Sequence, residues 1–80
     1  MTRVNVLYFA SLRDAAGVDS ETVASNAVDL RGLYRDLQHR HGFAFPVEQL
    51  RVAVDGAFAN WDDPPRADSE VAFIPPVSGG

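Results

Sequence analysis

The sequence predicts an α+β domain in which a mixed β-sheet packs on one main helix. Three observations carry that expectation. Residues 29–42 repeat apolar side chains at helical spacing between Asp29 and Gly42, residue types that suit the two ends of a helix. Segments 3–10, 51–54 and 71–74 alternate or run apolar over strand length, and Asp55-Gly56 is a two-residue hairpin signal. Apolar content is 46% in 80 residues, enough for a single core and too high for a disordered chain.

The first strand is expected over 3–10. Val4, Val6 and Tyr8 alternate with Asn5, Leu7 and Phe9. Asn5 marks its own face as the less buried, which places Leu7 and Phe9 on an outer apolar patch. Ser11-Leu12-Arg13-Asp14 matches a capping box with Ser11 as N-cap, and Ala15-Ala16-Gly17 then completes a short helical turn with a left-handed exit. A short strand follows over 21–25 around Val23, paired with the first as an antiparallel hairpin.

The main helix runs from the Asp29 cap to the Gly42 exit. Leu30, Leu33, Tyr34, Leu37 and His41 lie on one side. Val28 is expected to staple onto Leu33, and Arg31, Arg35, Asp36 and Arg40 to face water. Gly32 in the first turn costs roughly 1 kcal/mol against alanine. His39 and His41 are two apart on a helix, point apart and cannot chelate one metal. His41 is read as a helix-end residue favoured by the dipole.

Phe43 and Phe45 are expected to plug the end of the core, with Pro46 stopping the helix. The next strand, over 51–54, turns Val52 and Val54 inward. After Asp55-Gly56 the chain returns over 57–59, bringing Phe58 to the outer face beside Leu7 and Phe9. Trp61 covers the core edge. Asp62-Asp63-Pro64-Pro65 reads as a solvated turn with no third metal ligand. Asp68-Ser69 turns into the last strand, with Val71 and Phe73 buried and Ala72 and Ile74 outward. A last strand beside the first gives the β-grasp arrangement.

Pro75-Pro76 cannot donate to a sheet ladder and favours extended backbone. Val77-Ser78-Gly79-Gly80 adds little bulk, so residues 76–80 are expected to form an extended tail beyond a domain of residues 1–75. Fully stretched, that tail spans roughly 17 Å. The terminal carboxylate of Gly80 is the candidate functional group. A frayed Gly-Gly end is the bland alternative.

The charge balance narrows the function further. Eleven acids against seven bases give a net charge of −4, which argues against nucleic acid or anionic membranes as partners. All seven bases are arginine, so no lysine is present for a Schiff base. There is no cysteine, hence no thiol nucleophile, disulfide or cysteine-ligated zinc. No metal site is expected. No signal peptide or membrane-spanning run is evident, so a soluble cytoplasmic protein is expected. Without a nucleophile–base pair, the chain is not expected to be an enzyme alone.

The run Val71-Ala72-Phe73-Ile74-Pro75-Pro76-Val77-Ser78-Gly79-Gly80 resembles the C-terminal signature of the small subunit of molybdopterin synthase, the MoaD family. Val6-Leu7-Tyr8-Phe9-Ala10-Ser11-Leu12-Arg13-Asp14 is similar to that family's first strand and following turn. The resemblance spans the whole chain. It implies a ubiquitin-like β-grasp fold and a sulfur carrier with no bound cofactor. An E1-like adenylating partner would use ATP to activate Gly80, and sulfur would then replace one oxygen to give a thiocarboxylate. The tail of Pro75, Pro76, Val77, Ser78 and Gly79 would deliver that sulfur to cyclic pyranopterin monophosphate in the large synthase subunit, within a heterotetramer. The resemblance also implies an apolar docking face for the activating enzyme at Phe9, Phe58 and Ile74, and a basic residue at Arg13 able to pair with a partner acid. Two positions depart from the family pattern, which has glycine near Asp68 and an aliphatic residue near Pro65. A sulfur carrier of thiamine or cysteine synthesis, and a ubiquitin-like protein modifier, share the fold and the Gly-Gly end. A binding module working through its sheet face alone is the reading from a different class.

Overall fold

The computed structural model describes residues 1–76. The elements are β1 (Thr2–Tyr8), α1 (Ala10–Ala16), β2 (Ser20–Ser25), α2 (Leu30–His41), a single 3-10 turn (Val47–Gln49), β3 (Arg51–Val54), β4 (Ala57–Phe58) and β5 (Glu70–Ile74). The five strands form one sheet in the order β2-β1-β5-β3-β4. β5 runs parallel to β1, with Tyr8 beside Phe73, and antiparallel to β3, with Arg51 beside Ile74. The last strand therefore sits at the centre, as the β-grasp expectation requires.

Alternation sorts the sheet into two faces. Val4, Val6, Tyr8, Val23, Val52, Val71 and Phe73 turn inward and are buried with Leu30, Leu33, Tyr34 and Leu37 of α2. Phe73 is fully buried, stacked on Trp61 at 5.9 Å and edge-on to Tyr34 at 5.2 Å. Val54 is inward but only half-buried, because β3 ends there at the hairpin. That hairpin places both Asp55 and Gly56 at positive φ, 51° and 85°, as a tight antiparallel turn needs. Phe43 is buried and Phe45 half-buried, and their expected role at the end of the core holds.

The caps of α2 follow the sequence. Asp29 accepts a hydrogen bond from the Gly32 amide at 2.8 Å, and Gly42 closes the helix at φ 73° with its amide donating to the Gln38 carbonyl. Gly32 has a local reason: a Cβ there would meet Asp29 Oδ1 at 3.2 Å and the Ala27 Cβ at 3.3 Å. Asp68 adopts φ 63°, the left-handed turn for which glycine was the expected family residue, and Ser69 Oγ donates to the Arg66 carbonyl.

Several local expectations are corrected. β1 ends at Tyr8, because Phe9 leaves the ladder and Ala10 turns at φ 50°. Ser11 is not an N-cap: α1 starts at Ala10 behind Phe9, with no side-chain cap. Burial of Leu12 in the core pulls the helix start back and leaves Ser11 in the exposed first turn. Val28 makes no staple; it is 84% exposed, and Ala27 packs against the core instead. Arg31 is half-buried and bonds Asp62 at 2.6 Å.

Candidate functional site

The outer face of the sheet carries the candidate site. Leu7 and Phe9 come from β1 and the residue after it, Ala72 and Ile74 from β5, Ala53 from β3 and Phe58 from β4. Ala53 pairs with Ala72, and Ala72 with Leu7, so the middle of the face is floored by small side chains. Phe9, Phe58 and Ile74 stand higher around it. The result is a shallow groove of about 300 Å³, lined by these residues with Gly56 and Glu70. Phe9 is 45% exposed and Phe58 66% exposed, a large apolar area for a domain this small.

A second groove of about 580 Å³ adjoins the first at Phe9 and Ile74. Its other walls are Ala10, Ser11, Phe45, Pro75 and Pro76. β5 thus runs from the centre of the sheet straight into the prolines, which are themselves walls of this groove. The sequence reading of Phe9, Phe58 and Ile74 as one outward group holds, and Pro75 and Pro76 adjoin it. Arg13 lines neither groove; it is exposed on α1 with its Nε 3.8 Å from Asp19. Val77, Ser78, Gly79 and Gly80, including the candidate terminal carboxylate, lie outside the described residues.

Residues that sequence reasoning missed are Phe45 and Arg51. Phe45 packs on the core yet also walls the larger groove. Arg51 lays its guanidinium over Phe58, Cζ 5.0 Å from the ring centroid. Its outward position was readable from the alternation with Val52; its partner was not.

The described residues hold no cluster of three or more metal-ligating side chains and no buried side-chain polar atom without a hydrogen bond. No helix among them is long and apolar enough to cross a membrane. The main polar cluster ties β1, β2 and the end of α2. Tyr8 Oη donates to Glu21, and His41 Nε2 lies 2.6 Å from the same carboxylate oxygen. Burial raises the Tyr8 phenol, and the Glu21 bond raises it further. Burial disfavours the Glu21 charge, but hydrogen bonds from Tyr8 and His41, with Arg40 nearby, outweigh it and hold that carboxyl below its ordinary range. The cluster is a brace within the fold; neither groove is lined by it.

Comparison with known proteins places this arrangement. The model of the family described as "ThiS family" matches residues 6–80. The chain belongs to the ThiS family. This ThiS-family chain is 32% identical to the molybdopterin synthase sulfur carrier subunit of Escherichia coli K12, over 96% of this chain and 99% of that one. It is 33% identical to the human protein of the same name, over 100% and 97% of the two chains. Among solved structures, small archaeal modifier protein 1 of Haloferax volcanii superposes with a TM-score of 0.79 at 21% identity, over 96% of this chain and all of the other. That last likeness concerns the fold, which is the ubiquitin-like β-grasp.

Proposed function

We propose that this chain is the sulfur-carrier subunit of a molybdopterin synthase. The observation that carries the reading is the exit of the central strand. β5 ends at Ile74 and continues as Pro75-Pro76, which line a groove with Phe9, and the sequence then runs to Gly79-Gly80. Full-length similarity to sulfur carrier subunits of that synthase supports it.

Residues 1–75 serve as a handle and residues 76–80 as the arm it extends. A carboxylate resists nucleophilic attack because charge and resonance protect its carbon. An E1-like partner removes that protection: the Gly80 carboxylate attacks the α-phosphate of ATP, pyrophosphate leaves, and an acyl-adenylate forms. A sulfur donor then displaces AMP, and the resulting thiocarboxylate presents a nucleophilic sulfur. Gly79 and Gly80 lack a Cβ, which lets the arm thread a narrow channel and reach the nucleotide. In the large synthase subunit the sulfur passes to cyclic pyranopterin monophosphate. Phe9, Phe58 and Ile74 supply the docking surface, first for the activating enzyme and then for the large subunit, and Arg13, on α1 away from both grooves, pairs with a partner acid. The assembly contains two copies of each subunit and works in the cytoplasm; the ATP belongs to the activating enzyme.

Intact-protein mass spectrometry tests the chemistry. After incubation with the activating enzyme, ATP and a sulfur donor, the mass should rise by one oxygen-to-sulfur exchange at Gly80. An unchanged mass under conditions that load an established carrier refutes the proposal. Rescue of a thiamine mutant, without rescue of a molybdenum-cofactor mutant, would assign the chain to the other pathway.

A further inference from the structure

The outer face carries charges that its apolar residues do not explain. Arg51 opens β3 opposite Ile74 and stacks on Phe58. It also lines a small groove with Ile74, Pro75 and Pro76, so its charge stands beside the point where the chain leaves the sheet. Among the described residues it has no carboxylate within ion-pair distance, whereas Arg31 meets Asp62 at 2.6 Å. Glu70 begins β5 at the opposite end of the same face and lines the shallow groove with Leu7 and Ala72. It too has no ion pair among the described residues. Four steps along the strand lead from Glu70 to Ile74, roughly 13 Å.

Apolar burial has little directional preference. A patch built from Phe9, Phe58 and Ile74 would accept a flat apolar partner in either of two opposed orientations, and one of them sends the tail away from the partner's pocket. Opposite charges at the two ends of the face break that symmetry. Stacking on Phe58 holds the Arg51 guanidinium in place, and its weak hydration lowers the cost of covering it.

We propose that Arg51 and Glu70 fix the orientation of docking. The occupant of this face is a protein surface whose apolar patch carries a carboxylate at the mouth of the tail-binding pocket, against Arg51. A basic side chain stands roughly 13 Å away, against Glu70. This rests on the carrier reading above, with the large synthase subunit as the partner.

The test uses the full chain and the purified large subunit of the same organism, with affinities measured by calorimetry at low and high salt. Arg51→Glu should weaken binding about tenfold or more, and Glu70→Lys should do likewise. Arg51→Lys, which keeps the charge but loses the planar stack, should weaken it by about threefold. Both sites are exposed, so thermal melting of the variants should stay close to wild type and separate binding loss from misfolding. Wild-type affinity should fall with salt more steeply than that of Arg51→Glu. Binding of both reversal variants within about twofold of wild type overturns the orientation proposal and leaves the carrier reading standing. Failure of the unaltered chain to bind the large subunit overturns both.

Discussion

Phe58 and Phe73 are chemically identical side chains on opposite faces of one sheet, and replacing each by alanine separates docking from folding. Phe58 is 66% exposed, which leaves about 130 Å² of a typical phenylalanine surface open to a partner. Covering that area is worth about 3 kcal/mol at 25 cal/mol per Å². Ordering and imperfect fit at an interface reduce the realised loss to about 2 kcal/mol, roughly a thirtyfold rise in Kd. Its contribution to folding is small, limited to the covered third of the ring and the Arg51 contact. Phe58→Ala should therefore cost the isolated chain about 1 kcal/mol and lower Tm by about 5 °C. Phe73 is fully buried between Trp61 and Tyr34, so Phe73→Ala should cost about 3–5 kcal/mol and lower Tm by about 15 °C or more. Calorimetric titration against the large synthase subunit, beside thermal denaturation of each variant, gives both numbers. Unchanged affinity for Phe58→Ala, or a melting loss as large as that of Phe73→Ala, would refute the division into a docking face and a core face.

Glu21→Gln should destabilise the fold by about 1–2 kcal/mol near neutral pH, because the hydrogen bonds to Tyr8 and His41 lose their charged acceptor. The folded carboxyl lies below its unfolded value of 4.5, so its stabilisation is complete above that pH and is lost as acid protonates it. Urea melts of both proteins across pH 3–7, a range set around that carboxyl, should converge at the acid end. Gly42→Ala should cost about 1 kcal/mol through backbone strain at φ 73°, with no steric clash because nothing lies within 4 Å of the added Cβ; the readout is the denaturation midpoint. Tyr34→Phe removes a 2.7 Å bond to the Phe45 carbonyl but leaves Gln38 donating to the same oxygen at 3.1 Å, so the loss should stay near 1 kcal/mol; a further Gln38→Ala change should then cost more than it does alone.

What was readable from the residues depended on range. The α2 caps, the Asp55-Gly56 turn and the inward sides of β1 and β5 are written in neighbours one to four positions apart, and the structure agrees with each. The outward group of Phe9, Phe58 and Ile74 followed from the same alternation. The start of α1 was misplaced because Ser11 satisfies a local capping rule while Leu12 answers to the core. Val28 failed for a related reason: apolar character suggested a staple, but Ala27 holds the inward position. His41 was read as a helix-end residue, and its bond to Glu21, twenty positions away, exists only because β2 is folded beside β1. Arg51 on Phe58 likewise needs the hairpin closed before the two meet.

The central position of β5 also has a mechanical consequence. A partner that grips the terminus and draws it inward pulls along the strand axis. Because β1 and β3 flank β5 on both sides, two ladders share that load. An edge strand in the same role would be held by one ladder alone.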